Sequence, residues 1–260
     1  MVERFAGKVV IVTGSGTGIG RATILRFARE GATTVVTDVN PETTNAVAAE
    51  IKSLGSRCIG IRADATQSDE VESLMDSVIE KYEKIDVLVN NVGMFSPKRF
   101  LEIDETEWKH CLDINLTSTF LACREVIPHM IRERHGRIVN VACSAGKVGA
   151  AYFSHYSAAK HGVIGLTRSL AVEFAKDGIY VNAVCPGEIR TEMLDNATRA
   201  RALMEKVSED EIQRRRHASI PLGRYGAPDE VAGLIVFLAS EDANYITGQS
   251  YNITGGQITH

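Results

Sequence analysis

Short apolar runs rich in β-branched residues recur along this chain, and longer segments with helical periodicity separate them. The runs cover residues 8–14, 33–38, 58–64, 85–91, 136–142, 179–186 and 249–256. Because they are apolar on both faces, we interpret them as buried parallel strands. Strands that alternate with helices predict an α/β fold, a doubly wound parallel β-sheet flanked by helices on both faces. Ligands are then expected outside the carboxyl ends of the strands.

The segments between these runs predict the helices. Apolar spacing, first-turn prolines and terminal glycines delimit helices at residues 17–30, 41–54, 67–82, 106–132, 156–177 and 228–239. Residues 188–220 are polar and helical in composition, and we interpret them as a lid that covers the site. We therefore expect one domain over residues 1–260.

The composition limits the classes of partner. With 44% apolar residues, 24% charged residues and a net charge of −4, the chain attracts neither nucleic acid nor an anionic membrane. Its five cysteines are scattered without CxxC spacing, so neither disulfides nor a metal site is expected. The first residues lack the apolar core of a signal peptide, and no apolar run approaches the roughly 20 residues of a membrane span. We expect a cytoplasmic protein.

A glycine-rich turn, "VVIVTGSGTGIGRA", joins the first strand to the first helix. Glycines stand at positions 14, 16, 18 and 20, in a TGxxxGxG pattern rather than a strict GxGxxG. Such a turn lets the backbone approach a pyrophosphate, and the helix N-terminus offers free N–H groups and a partial positive charge. By itself, the motif also fits a turn with a purely structural role.

The second strand ends in Asp38, eighteen residues after Gly20. A carboxylate there can accept hydrogen bonds from both hydroxyls of an adenosine ribose. It would repel a 2′-phosphate, and neither Val39 nor Asn40 supplies a compensating cation. The sequence therefore favours NAD over NADP. The alternative is an aspartate that caps or turns the chain before Pro41.

Tyr156 and Lys160 stand four residues apart in "HYSAAKHG" and share one helix face. A fixed ammonium favours the phenolate and would bring the tyrosine pKa, ordinarily about 10, closer to neutrality. Such a pair suits acid–base chemistry. Alone, it is equally typical of an amphipathic helix with a surface lysine.

These features occur together with "NNVG" at 90–93, "DINLTSTF" around Asn115 and "CPGEIRT" at 185–191. The joint pattern, over essentially the whole chain, resembles the classical short-chain dehydrogenase/reductase family. The resemblance implies a Rossmann-type domain and hydride transfer between a secondary alcohol and a nicotinamide coenzyme, with no metal. It also implies that Tyr156 is the acid–base group, that Lys160 lowers its pKa and that Asn115 holds a water of a proton relay.

The resemblance further assigns coenzyme contacts by position. It implies that Asp64 and Ala65 bind the adenine, and that Val92 replaces the usual alanine. The implied coenzyme-binding residues are Gly14, Ser15, Thr17, Gly18, Ile19, Gly20, Asp38, Val39, Asp64, Ala65, Asn91, Val92, Gly93, Tyr156, Lys160, Pro186, Gly187, Ile189 and Thr191. A homotetramer is implied as well, with the helices at 106–132 and 156–177 at its interfaces through residues such as Phe120, Val126, Ile164 and Leu170.

Cys143 stands thirteen residues before Tyr156, where this family has a serine that hydrogen-bonds the reacting oxygen. A thiol is a weaker donor, so a slower enzyme is expected. Three interpretations remain: a natural substitution, Ser144 taking the role, or an engineered replacement. Strand alternation favours Ser144 pointing away. Covalent catalysis by Cys143 is the remote alternative, because no histidine–carboxylate pair is evident to activate it.

The substrate is not named by these motifs, but its contacts can be predicted. Candidates near the site are Phe95, Lys147, Tyr152 and Phe153, and "QRRRH" at 213–217 adds Arg214 and Arg215. The arginines would recognise an anionic substrate, unless they form a solvated helix face. We expect an NAD-dependent dehydrogenase of a secondary alcohol. The alternatives are an NADPH-dependent reductase of 3-oxoacyl groups on acyl-carrier protein or CoA, and a non-catalytic nicotinamide-binding regulator.

Overall fold

The computed structural model describes residues 3–260, and seven parallel strands form its single sheet. The strands are β1 (Val9–Thr13), β2 (Thr33–Asp38), β3 (Cys58–Arg62), β4 (Val87–Asn90), β5 (Gly136–Val141), β6 (Ile179–Pro186) and β7 (Ser250–Ile253). Their order across the sheet is β3-β2-β1-β4-β5-β6-β7. The order reverses between β1 and β4, and this switch point opens a crevice at the carboxyl edge. The predicted doubly wound fold is confirmed.

The connections between the strands are helical. The α-helices are α1 (Gly18–Arg29), α2 (Pro41–Ser53), α3 (Ser68–Tyr82), α4 (Glu105–Leu112), α5 (Ser118–Glu133), α6 (Ser154–Phe174), α7 (Glu192–Glu205), α8 (Glu209–Ala218) and α9 (Pro228–Ala239). Each predicted helix has a counterpart, with ends shifted by a few residues. The structure places α7 and α8 within the 188–220 segment, which we call the lid segment.

Two apolar layers cover the sheet, and alternation along each strand sorts residues between them. Val10 and Val12 of β1 pack with α1, α2 and α9, whereas Val9 and Ile11 pack with α3, α5 and α6. Ile11 is fully buried, and burying such a side chain stabilises the fold by about 1.5–3 kcal/mol. The strands that carry the loops of the carboxyl edge are thus packed between two apolar layers.

The expectation that all strands are buried on both faces is wrong for the two edge strands. Along β3, Ile59 and Ile61 are half-buried and Gly60 and Arg62 are exposed. Tyr251 of β7 is also exposed. An edge strand has a neighbour on one side alone, so fewer side chains cover it. The central strands β1, β4 and β5 are buried throughout.

The helix predicted at 106–132 is interrupted. A π-helical turn, Asp113–Thr117, separates α4 from α5 and contains Asn115. A π-turn inserts one residue into an α-helix and often occurs at functional sites. Here it turns Asn115 into the interior, where the side chain is fully buried.

The residues predicted for subunit interfaces lie mostly in the chain's own interior. Val126 and Ile164 are buried, and Leu170 packs partly buried against the second layer. Phe120 alone of these four is exposed. Within residues 3–260, no helix combines the length and the apolar character needed to cross a membrane.

Candidate active site

A cavity of about 590 Å³ lies at the carboxyl edge of the sheet. The loops after β1, β2, β3, β4, β5 and β6 line it, together with α6 and the start of the lid segment. It runs from Asp38 and Asp64 at one end, which we call the adenosine end, to Cys143, Tyr156 and Lys160 at the other, which we call the reaction end. This position, across the β1/β4 switch point, is where open α/β sheets bind ligands.

The glycine turn forms one wall of the cavity. Gly14 and Gly18 have φ values of 61° and 54°, backbone angles that residues with a Cβ adopt only at a cost in conformational energy. Asn91 holds the turn by donating from Nδ2 to the carbonyls of Thr13 (3.1 Å) and Gly14 (2.9 Å). Gly20 does not line the cavity; a Cβ there would lie 2.2 Å from the Gly14 oxygen. Gly20 therefore lets α1 pack against the turn.

Ser15 also differs from its predicted role. The structure buries it completely, and its hydroxyl accepts a hydrogen bond from the Thr37 N–H at 3.0 Å. It therefore joins the glycine turn to β2 and lies outside the cavity lining. Thr17 and Ile19 line the cavity as expected.

Asp38 lies at the end of β2 with its carboxylate at the adenosine end. Oδ2 accepts from the N–H of Gly16 and Oδ1 from that of Asn40, both at 3.1 Å. The N-cap of α2 is Asn40, which accepts from Glu42 and Thr43. Asp38 is therefore not the cap of α2. Of the alternative interpretation, an aspartate that caps or turns the chain before Pro41, the structure shows only the turn contact with the Asn40 N–H.

Three residues beside Asp64 were not predicted from the sequence motifs: Thr66, Glu70 and Arg62. Asp64 Oδ1 accepts from the N–H and hydroxyl of Thr66 at 2.9 and 2.7 Å. Glu70 accepts from the Asp64 N–H at 2.7 Å and pairs with Arg62 at 2.6 Å. The Asp64 N–H, and then Arg62, hold the pKa of Glu70 below its usual value. Arg62 also donates to the Val39 carbonyl, so a cation lies here with its charge balanced.

Tyr156 and Lys160 lie buried on one face of α6, as their spacing predicts. Lys160 Nζ lies 5.8 Å from the tyrosine ring centroid and donates to the Val141 carbonyl at 2.9 Å. Burial, and then Cys143, raises the pKa of Tyr156 well above its ordinary value. Burial lowers the pKa of Lys160 to about 8. The predicted lowering of the tyrosine pKa is thus opposite to the direction that the protein environment imposes.

Asn115 joins the π-turn to the loop after β4. Its Oδ1 accepts from the Met94 N–H at 3.1 Å, and its Nδ2 donates to the carbonyls of Met94 (3.0 Å) and Cys111 (2.9 Å). A Cβ at Gly93 would lie 3.0 Å from Asn115 Oδ1 and 3.4 Å from Lys160 Nζ. Gly93 therefore keeps the space between these two polar groups open.

Cys143 and Ser144 both line the reaction end. Cys143 Sγ and Ser144 Oγ are 3.8 Å apart, and Cys143 packs against Tyr156. The strand-alternation argument fails here, because β5 ends at Val141 and a 3₁₀ turn, Ser144–Gly146, follows. Within residues 3–260, Cys143 makes no hydrogen bond to a histidine, so the geometry offers no activated thiolate nucleophile.

Aromatic and apolar side chains, together with His110, Glu188 and Glu192, form the remaining wall of the reaction end. Phe95 packs against Phe153 and Tyr156, with ring centroids 5.2 and 5.5 Å apart. The spacing of motifs gave no signal for the others, which come from several elements: Met94, His110, Ile114, Ala150, Glu188, Glu192, Met193 and Leu194.

Four predicted substrate residues lie outside this lining. Lys147 donates to the Ser250 carbonyl at 2.6 Å, and Tyr152 faces Arg201. Arg214 pairs with Glu211, and Arg215 pairs with Glu205 and Glu211, on the exposed side of α8. The alternative of a solvated helix face therefore describes Arg214 and Arg215.

The lining fits a dinucleotide with a nicotinamide group. One end presents a carboxylate, the middle a glycine turn and the N-terminus of α1, and the far end the loop after β6. That loop contributes Pro186, Gly187, Ile189 and Thr191, while Val39, Ala65, Asn91 and Val92 complete the lining. Among residues 3–260, no group of three or more histidine, cysteine or carboxylate side chains could hold a metal ion.

Comparison with known proteins agrees with this geometry. A family model described as Enoyl-(Acyl carrier protein) reductase matches residues 14–257. The 3-oxoacyl-[acyl-carrier-protein] reductase FabG of Thermotoga maritima is 39% identical over 255 residues, 98% of this chain and 99% of that protein. The (2S)-[(R)-hydroxy(phenyl)methyl]succinyl-CoA dehydrogenase subunit BbsD of Thauera aromatica is 38% identical, covering 96% of both.

Solved structures lead to the same family. A variant of actinorhodin polyketide ketoreductase, crystallised with NADPH, matches with a TM-score of 0.94 at 34% identity and covers 100% of both chains. Sequence, fold and site agree over the full length. The chain therefore belongs to the classical short-chain dehydrogenase/reductase family of oxidoreductases.

Proposed function

We propose that the protein is an NAD-dependent oxidoreductase that interconverts a secondary alcohol and its ketone. The observation that carries the coenzyme preference is the Asp38 carboxylate at the adenosine end of the cavity. A 2′-phosphate at that place would meet this charge. Arg62 is the nearby cation that could compensate, but Glu70 already neutralises it in an ion pair of 2.6 Å. NADP would therefore bind with an unbalanced repulsion.

Tyr156 exchanges the proton of the reacting oxygen in this proposal. When bound, a nicotinamide coenzyme would take up hydride from the alcohol carbon or return it to the ketone carbon. Because burial raises its pKa, Tyr156 is a neutral phenol near pH 7, which suits it to donate a proton to a ketone. Oxidation of the alcohol requires the phenolate, which the Lys160 ammonium favours. In this proposal the phenol serves the reduction and the phenolate serves the oxidation.

Asn115 and Lys160 would carry the proton onward. Gly93 leaves a space bounded by Asn115 Oδ1 and Lys160 Nζ, and a water in it would have a polar partner on each side. The pKa of Lys160, at about 8, lets this group exchange a proton near neutrality. Asn115 also has a positioning role, since it fixes Met94 and with it the loop that carries Gly93.

Cys143 or Ser144 would orient the substrate oxygen. Both line the cavity, and Cys143 packs against Tyr156. We assign the role to Cys143, since this contact places its thiol beside the proton-exchanging phenol. The Ser144 hydroxyl, 3.8 Å away, can polarise the thiol or share in orienting the oxygen.

The second candidate is a reductase of 3-oxoacyl thioesters that uses NADPH. The names of the relatives favour it, since the Thermotoga maritima protein is a 3-oxoacyl-[acyl-carrier-protein] reductase. The Thauera aromatica relative, named as a dehydrogenase of a CoA ester, also acts on a thioester-bearing molecule. Asp38 opposes the NADPH part of this candidate but not the acyl chain, which the apolar reaction end could accommodate.

A coenzyme-by-substrate matrix tests the proposal. Purified protein would be assayed with NAD and NADP on a panel of secondary alcohols, and with NADH and NADPH on ketones and acetoacetyl-CoA, by absorbance of the reduced coenzyme. We expect NAD and NADH to be preferred throughout. A preference for NADPH with acetoacetyl-CoA would select the second candidate. Absence of turnover, with NADH binding intact, would select the non-catalytic regulator.

Assembly and location follow as smaller proposals. We propose a homotetramer in the cytoplasm, supported by exposed apolar side chains on α5 and α6, among them Phe120 and Val172. The five cysteines are all free, which suits a reducing compartment. Light scattering of the purified protein measures the mass of the assembly. We also propose that the lid segment covers bound substrate.

A further inference from the structure

One arginine of the lid segment points into the protein. Arg216 retains 6% of its exposure, in contrast to the surface pairs of Arg214 and Arg215. Its Nη1 donates to Thr198 Oγ1 of α7 at 3.0 Å and lies 3.5 Å from Glu188 Oε2. Its Nε is buried and has no hydrogen-bond partner among residues 3–260. The lid segment thus brings a buried, incompletely bonded cation next to the cavity wall.

Glu188 is the partner of this cation, and it belongs to the cavity wall. It follows Gly187 in the loop after β6, and its carbonyl accepts from the Gly226 N–H at 3.0 Å. This contact fixes the backbone, while the side chain retains 24% of its exposure. Burial raises the pKa of the Glu188 carboxyl, and Arg216 and then Arg201 partly offset that rise.

We propose that Glu188 is a specificity-determining residue: its carboxylate neutralises Arg216 and makes the reaction end accept neutral substrates and reject anionic ones. The inference rests on the proposed function only in taking the reaction end as the substrate site. Breaking a buried ion pair leaves an uncompensated charge, which seeks a new counter-ion. A variant without the Glu188 charge would therefore recruit an anion from the cavity.

The rest of the reaction end is consistent with a neutral substrate. Its wall is formed by Met94, Phe95, Ile114 and Phe153. An aromatic probe suits these side chains. Benzenesulfonate and benzenesulfonamide have nearly the same shape and differ in charge, so their comparison isolates the electrostatic contribution.

The test measures binding by calorimetry at saturating NAD, and it does not depend on turnover. In the unmodified protein, we expect benzenesulfonamide to bind at least as tightly as benzenesulfonate. In Glu188→Gln, the affinity for benzenesulfonate should rise by about tenfold or more, with benzenesulfonamide unchanged. In Arg216→Gln, the affinity for the cation benzylamine should rise instead, because the Glu188 carboxylate then lacks its counter-ion.

Two controls separate this pair from a general change in charge. Glu192→Gln removes a cavity carboxylate that has no ion-pair partner among the described residues, and it should leave the preference between probes nearly unchanged. The double variant Glu188→Gln/Arg216→Gln should restore the wild-type preference, and it keeps the comparison available if one single variant unfolds. The proposal would be overturned if the affinity for benzenesulfonate rose equally in Glu188→Gln and Glu192→Gln. It would also be overturned if that rise persisted in the double variant.

Discussion

The two ends of the cavity solve different physical problems. At the adenosine end, Asp38 and Asp64 already accept hydrogen bonds from nearby backbone N–H groups, so recognition rests on carboxylates fixed in position. At the reaction end, Tyr156 and Lys160 are buried, and burial moves both pKa values in the direction that favours the neutral form. The adenosine end can therefore recognise a ligand by its charge and shape. The reaction end keeps its proton-exchanging groups away from water, so that they change charge only when a ligand binds.

The largest effect should come from the reaction end. Tyr156→Phe removes one hydroxyl and leaves the ring that packs against Phe95 in place. We expect turnover to fall about 10²–10⁴-fold, the usual contribution of a positioned acid–base group, with the melting temperature nearly unchanged. Steady-state kinetics and calorimetry check this.

The matched control for that variant is Tyr245→Phe, which removes the same hydroxyl from a fully exposed ring. Turnover there should stay within about twofold of the wild type. If Tyr156→Phe kept more than about a tenth of wild-type turnover, proton exchange would have to be assigned to another group, and the contrast between the two ends would lose its basis.

The second effect is on stability and follows from burial of Lys160. Its pKa is lowered from 10.5 to about 8, so below pH 8 the folded state holds a desolvated charge that costs about 3 kcal/mol. Between pH 8 and 10.5 the unfolded state binds more protons than the folded state, so stability rises with pH. Lys160→Met should therefore be more stable than wild type at pH 7, with an advantage that narrows by pH 9.5.

Urea unfolding at pH 7.0 and 9.5 measures this difference, with Lys176→Met as the control at an exposed site. Wild type and Lys160→Met must converge as pH rises, while Lys176→Met stays parallel to wild type. If the unfolding free energy changed with pH in parallel for all three proteins, Lys160 would keep its ordinary pKa. The reaction end would then desolvate its charged groups no more than the adenosine end does.

The third effect lies at the adenosine end. Asp38→Asn removes the charge but keeps the size of the side chain, and charge-assisted hydrogen bonds of about 1.5–3 kcal/mol should be lost. We expect kcat/KM for NAD to fall about 10–100-fold and that for NADP to rise. Asp69→Asn, exposed in the first turn of α3, is the charge-matched control. An equal fall with both coenzymes would show that Asp38 acts by holding Gly16 rather than by reading the ribose.

The same contrast explains how far the sequence could predict the site. The adenosine end rests on local motifs: the glycine turn and Asp38 occupy one strand–turn–helix–strand unit, and the fixed spacing identified them. Tyr156 and Lys160 lie one helix turn apart, so their spacing in the sequence identified them as well. Glu188 and Arg216 meet through the tertiary fold, and no spacing marks such a pair.

One signal in the lid segment could have identified the inward arginine. Ile212, four residues before Arg216, is buried in the same helix, and residues at i and i+4 share a face. That apolar position marks the inner side of α8, on which Arg216 lies and Arg214 and Arg215 do not. The strand rule failed at Ser144 for a related reason, because a period of two holds only while the strand continues, and β5 ends at Val141.

The smallest effect concerns Cys143 and refines the description of the reaction end. Cys143→Ser should retain turnover or raise it a few-fold, because a hydroxyl donates a stronger hydrogen bond than a thiol. Cys143→Ala should lower turnover, and Ser144→Ala should lower it less, since Cys143 is the residue that packs against Tyr156. The three variants would be compared by kcat and KM at saturating NAD. If Ser144→Ala crippled the enzyme while Cys143→Ser and Cys143→Ala behaved alike, the orienting group would be the Ser144 hydroxyl. The substrate oxygen would then be held by the first residue of the 3₁₀ turn rather than by Cys143, the residue before it.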